Sequence, residues 1–161
     1  EHSLQTGHGA GIGQTLAGVL GLQRLESWPG SWDVATTFAD GSVAHGTFSV
    51  RRALGGHSII GEYGTTRNGV EFEGHWIQSR DPATGAWKSW WFDSRLIGDV
   101  ETAMLEEVPG ALIFHGCRRP DEPVQITERW QGNDEVVHAI ELDHGSGLET
   151  VMTITYRRNG S

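Results

Sequence analysis

The sequence predicts an all-β domain, an antiparallel meander closed into a barrel of about eight to ten strands with one N-terminal helix. Three observations carry this. Strand-like runs with frequent β-branched and aromatic residues follow one another from Trp32 to Arg158. Glycine fills 23 of 161 positions, about double the usual ~7% and without a collagen-like period, so it marks turns. The separators are too short for the crossovers that parallel strands need, and closing the meander removes its exposed edges.

The elements follow in order. Residues 1–13 are rich in Gly and Ala, lack apolar periodicity and read as an arm. Over 14–27 an approximate helical stripe of Leu16, Val19, Leu20, Leu22 and Leu25 ends at Trp28-Pro29-Gly30. Strands are expected at Trp32–Phe38, Ser42–Arg52, His57–Thr65, Val70–Arg80 and Trp87–Arg95. Five more are expected at Glu101–Glu106, Ala111–Cys117, Val124–Gln131, Val136–Leu142 and Glu149–Arg158. Asn68-Gly69 suits a two-residue hairpin turn with positive φ, and Asp81-Pro82-Ala83-Thr84-Gly85 suits a longer turn closed by glycine. Leu54-Gly55-Gly56 reads as a turn; no helix follows it to cradle a phosphate. A single domain over 14–158 accounts for the whole pattern.

Composition narrows the function classes. Twelve basic against 21 acidic residues give a net charge of −9, which repels nucleic-acid backbones. No run approaches the ~20 apolar residues that span a bilayer, and neither a basic segment nor an apolar signal run is visible, so a cytoplasmic protein is expected; the excess charge allows a monomer, with a homodimer as the alternative. One cysteine excludes an internal disulfide and cysteine-based clusters. Cys117 adjoins Arg118 and Arg119, but no base accompanies it.

Gly30-Ser31-Trp32 resembles the Gly-x-Trp opening of lipocalin-like barrels. In those barrels the tryptophan packs against an arginine of the last strand, a place that Arg157 or Arg158 would take here. Over residues 28–95, Arg52-Ala53-Leu54-Gly55-Gly56, Glu62-Tyr63, Phe72-x-Gly74, Asp81, Trp87 and Trp91-Phe92-Asp93-Ser94 are similar to a family of small bacterial calycin-type proteins of unknown function. Members of that family read Leu-Gly-Gly, Phe-x-Gly, Gly-Tyr-Asp and Trp-Ile-Asp at these separations. The closing Met152–Arg157 segment is also similar, whereas Ser79-Arg80-Asp81 departs from Gly-Tyr-Asp. The resemblance implies the fold and transfers no activity.

Hairpin geometry suggests which groups point inward. A turn at Asn68-Gly69 sets Arg67 opposite Val70, Glu62 opposite His75 and Ile60 opposite Ile77; the next hairpin sets His75 opposite Phe92 and Ile77 opposite Trp90. One face then carries Ile60, Glu62, His75, Ile77, Trp90 and Phe92, with Phe48 added from the preceding strand. The other carries Tyr63, Trp76, Trp91 and Asp93. The first is the more aliphatic and is placed inside; a one-residue bulge would exchange the two. Glu62 and His75 become an inward ionisable pair suited to proton transfer, or to a structural hydrogen bond. His138 and Glu128, the latter with Trp130, alternate so as to reach the same interior. Tyr63, Trp91 and Asp93 are the candidates from the opposite face.

Eight histidines raise a metal reading, yet His45, His57, His75, His115 and His138 lie on different strands and converge only by topology. The functional expectation is a cofactor-independent enzyme, without metal, that uses Glu62, His75 and His138 for acid–base isomerisation, cyclisation or lyase chemistry. Its substrate would be a small apolar or aromatic molecule. The alternatives are a non-catalytic carrier or sensor, and a barrel that holds haem or a metal through histidine.

Overall fold

The computed structural model describes residues 23–94 and 100–160. The expected arm over 1–13 and the first part of the expected helix lie outside the described residues; residues 23–27 are helical. Ten strands follow: β1 (Gly30–Phe38), β2 (Val43–Ala53), β3 (Ser58–Arg67), β4 (Val70–Arg80), β5 (Trp87–Asp93), β6 (Val100–Val108), β7 (Ala111–Arg119), β8 (Glu122–Gln131), β9 (Glu135–Asp143) and β10 (Leu148–Arg158). Each pairs antiparallel with its neighbours in the chain, and β1 pairs with β10 to close the barrel.

The expected hairpin registers are present. Arg67 pairs with Val70, Glu62 with His75 and His75 with Phe92. Asn68 and Gly69 take φ of 53° and 78°, the positive pair that a tight turn between right-twisted strands requires.

The inward face is the reverse of the one expected for β3 to β5. Glu62 and His75 are exposed, Ile60, Ile77 and Trp90 are half-buried, and Phe92 is 38% exposed on the outer surface. Tyr63, Trp76, Gln78, Ser89, Trp91 and Asp93 line the interior instead. Glycine explains the reversal. A Cβ on Gly61 would stand 2.2 Å from the Phe48 ring, and one on Gly74 would stand 2.2 Å from the Trp91 indole. Bare inward positions on β3 and β4 therefore seat large rings. The aliphatic residues stand on the outside, where half-burial is ordinary for a barrel wall.

The end where β1 starts and β10 finishes is closed. Trp28, fully buried, puts its ring 5.2 Å from Trp32, 5.1 Å from Trp76, 5.3 Å from Trp130 and 5.2 Å from Tyr156. Arg158 lies 4.2 Å over the Trp32 ring, with hydrogen bonds to the carbonyls of Ser27 and Pro29. This is the Trp–Arg closure that the first-strand motif implied, and Arg158 supplies it. Arg157 points outward to Glu135.

Candidate functional site

Above the Trp28 plug the barrel encloses a cavity of about 450 Å³. Phe48, Tyr63, Trp76, Trp91 and Phe114 give it aromatic walls, and Glu128, His138 and Tyr156 contribute polar groups from β8, β9 and β10. It extends toward the opposite end of the barrel, to Phe38, Arg67 and Arg118. Both cations there are engaged: Arg67 sits 3.6 Å over the Phe38 ring and donates to Ser42, while Arg118 holds Glu122 through two hydrogen bonds.

Inside, one chain of polar contacts crosses from the helical segment to the last strand. Arg24 donates Nε to Glu128 Oε1 at 2.7 Å and Nη2 to Oε2 at 2.5 Å. Trp130 Nε1 donates to Oε1 at 2.8 Å, and His138 Nε2 lies 3.0 Å from Oε2. His138 Nδ1 lies 3.3 Å from the Tyr156 hydroxyl. Arg24 and Glu128 are 2% and 0% exposed, so this is a dry ion pair. The register makes it: Glu128 faces His138 directly across β8 and β9, and His138 faces Ile154, two residues before Tyr156, across β9 and β10.

The electrostatics fix the protonation states of Glu128 and Tyr156. Burial pushes the Glu128 carboxyl up, but the Arg24 charge and the His138 and Arg24 hydrogen bonds together outweigh it. They hold the group well below the usual carboxylate range. An ionised carboxylate only accepts, so His138 Nε2 carries a hydrogen toward it. In the neutral imidazole Nδ1 is then a lone pair that accepts the Tyr156 O–H. Burial holds the Tyr156 phenol far above its ordinary value, with Tyr63 and Glu128 adding to the effect, so Tyr156 keeps its proton. The result is a Glu128–His138–Tyr156 chain of polar contacts whose last group lines the cavity.

The sequence-derived candidates divide accordingly. Phe48, Tyr63, Trp91, Asp93, Glu128 and His138 line the cavity. Trp130 touches the site through Glu128 and Trp28. Glu62, His75, Ile60, Ile77, Trp90 and Phe92 lie on the outer face of the wall. Phe48 is inside as expected but belongs with Tyr63 across β2 and β3, not with Ile60.

Three residues escaped the sequence reading. The sequence hides Arg24 because a basic residue on a helix ordinarily faces water; Trp28 reads as a helix stop. Tyr156 carried a signal, alternating with Ile154 and Arg158 on a strand whose other face is threonine-rich.

His45, His57 and His75 are exposed and His115 half-buried, leaving His138 with both ring nitrogens engaged. Among the described residues no group of three or more His, Cys, Asp or Glu side chains is placed to hold a metal. No described helix is long and apolar enough to cross a membrane.

No family model matches the chain, and no curated protein matches it. Solved structures match in fold. The S-type phycobiliprotein lyase CPES from Guillardia theta aligns with a TM-score of 0.60 at 13% identity, covering 92% of this chain and 98% of that one. Rv2717c from M. tuberculosis gives 0.59 at 14% identity over 87% and 98%. A redesigned β-barrel, mFAP1, bound to DFHBI, gives 0.50 at 12% identity over 83% and 97%. At these identities the likeness is one of fold: a small closed β-barrel.

Proposed function

We propose that the barrel takes a small, largely apolar or aromatic molecule into its cavity and catalyses a proton transfer on it without a cofactor. The observation that carries this is the Arg24–Glu128–His138–Tyr156 chain, which ends on the cavity among aromatic rings. The sequence suggests Glu62, His75 and His138 for this chemistry; of these His138 lines the cavity, and its carboxylate partner there is Glu128. Similar barrels include a phycobiliprotein lyase and one bound to DFHBI, and both accord with a small-molecule occupant.

The proton would move through two groups. Tyr156 Oη takes a proton from the bound molecule as its own proton passes to His138 Nδ1. Because burial disfavours a free phenolate, the two transfers are concerted. Ionised Glu128 stabilises the resulting imidazolium, and Arg24 keeps Glu128 ionised in a dry interior. The reverse passage returns the proton to another atom, giving isomerisation, cyclisation or lyase-type elimination. The walls orient the molecule and exclude water.

A second reading, a non-catalytic carrier, has one observation of its own: Glu128 accepts four hydrogen bonds and is satisfied as a purely structural group. The elimination of 5-nitrobenzisoxazole, a small aromatic probe opened by removal of one proton, separates the two. Expected is wild-type elimination above buffer, lost in His138→Ala and Tyr156→Phe while quenching of tryptophan fluorescence by the probe persists. Quenching without elimination in the wild type would leave a carrier.

A further inference from the structure

The cavity holds a polar element that the proton relay does not use. Gln78 on β4 is 3% exposed and stands at an inward position two residues from Trp76. Its Nε2 donates to Ser89 Oγ at 3.3 Å, and the same oxygen accepts Trp76 Nε1 at 2.7 Å. Gln78 Oε1 is buried with no hydrogen-bond partner among the described residues. A buried acceptor left unpaired in a wall of apolar rings is costly, and native interiors seldom carry one without a use for it.

Building on the cavity reading above, we infer that Gln78 is the recognition element of this cavity and pairs edge-on with a cis-amide, the adjacent N–H and C=O of a lactam or cyclic imide on a flat aromatic ligand. A primary amide presents one acceptor and one donor side by side. Oε1 has no partner among the described residues, and Nε2 has a second hydrogen beyond the one given to Ser89. Turning the amide through 180° leaves the same two functions on its free edge, so the complement does not change. An N–H beside a C=O satisfies both in the way that a glutamine amide reads an adenine edge.

Other ligand chemistries fit less well. A carboxylate would set lone pairs against Oε1. A hydroxyl would satisfy one position, and a hydrocarbon neither. Flatness follows from the surroundings: the Trp76 ring stands 5.6 Å from Phe48 and 6.3 Å from the His138 ring. A bicyclic molecule held at Gln78 thus lies along an aromatic wall that leads to the imidazole.

The test compares quinolin-2-one, its N-methyl derivative and naphthalene by isothermal titration calorimetry on the full chain. Quinolin-2-one should bind at least about tenfold tighter than the N-methyl compound, since a site built for an N–H rejects the analogue that lacks it. Gln78→Met should abolish that preference while leaving naphthalene affinity within about twofold. As a check without any variant, the Gln78 side-chain amide resonances should shift on adding quinolin-2-one and stay in place with naphthalene. Equal binding of the lactam and its N-methyl derivative, with naphthalene also bound, overturns the inference and leaves the cavity reading intact. A preference that survives in Gln78→Met overturns the assignment to Gln78. Absence of binding by all three overturns both.

Discussion

Glu128 and His138 stand directly opposite each other across β8 and β9, and Glu128 Oε2 meets His138 Nε2 at 3.0 Å inside the barrel. Arg24 completes the pair from outside the sheet, so a buried charge on the helical segment depends on a buried charge in the wall. Removing one partner leaves the other charge unpaired in a dry interior. Glu128→Leu and Arg24→Met should each destabilise by about 3–5 kcal/mol. The double variant should be less destabilised than the two losses added together, because it leaves no orphan charge. Urea unfolding of the four proteins measures the coupling directly.

The same carboxyl makes stability depend on acid. Its pKa in the folded protein is depressed below the ordinary 4.5. Its contribution is therefore fully present above that value and is lost as pH falls from there toward the folded value. Unfolding free energy should drop with acidification below about pH 4.5 more steeply in the wild type than in Glu128→Gln. Urea midpoints taken every half unit from pH 5 downward would display the difference in slope; parallel curves would refute it.

Opposite behaviour is expected of the other Glu–His pair. Glu62 and His75 also face each other across two strands, but on the outer surface. Glu62→Ala and His75→Ala should each change stability by no more than about 0.5 kcal/mol and leave quenching by 5-nitrobenzisoxazole unchanged. A loss of quenching in either would place the pair at the cavity.

That contrast shows what was legible. Ten strands, their turns and the register of β3 with β4 follow from period and turn chemistry, which are local. Which face turns inward is not local. Counting aliphatic residues picks the core of a solid interior, whereas this barrel encloses a cavity walled by aromatic rings with a few polar groups among them. Its inner wall on β4 and β5 mixes glycine, tryptophan, glutamine and serine. On β8 and β9 the inner face also carries Ile126, Ile140 and Leu142, so alternation alone put Glu128 and His138 on the correct side. Arg24 and Trp28 depend on where the helical segment docks, which no strand periodicity encodes.

The glycines that shape the wall should differ in their tolerance. A Cβ on Gly74 meets the Trp91 indole, a side chain with space to swing toward the cavity; one on Gly116 meets the Glu101 carbonyl oxygen at 1.7 Å, which is fixed in the ladder. Gly74→Ala should cost about 1–3 kcal/mol as an overpacked side chain and lower affinity for naphthalene by taking cavity volume. Gly116→Ala should cost more, because β6 and β7 must separate to admit it. Thermal melts and calorimetric titration of both variants would rank them.

The closed end offers the last test. Arg157 and Arg158 are neighbours on β10, yet alternation sends one to water and the other under the barrel. Arg158 stacks on Trp32 and donates to the carbonyls of Ser27, Pro29 and Asn133, tying the entering chain to a later turn. Arg157, with a side chain 67% exposed, makes a surface pair with Glu135. A lysine in place of Arg158 keeps the charge but loses the planar fork that reaches several carbonyls at once and lies flat on an indole. Arg158→Lys should cost about 2 kcal/mol, from the weakened stacking and the lost hydrogen bonds. Arg157→Lys should stay within about 0.5 kcal/mol, as exposed pairs do. Trp28 caps the cavity at this end, so Arg158→Lys should also speed hydrogen exchange at the Trp28 and Trp32 indole N–H groups. An equal effect of the two substitutions on stability would mean that the Trp–Arg closure contributes nothing beyond charge.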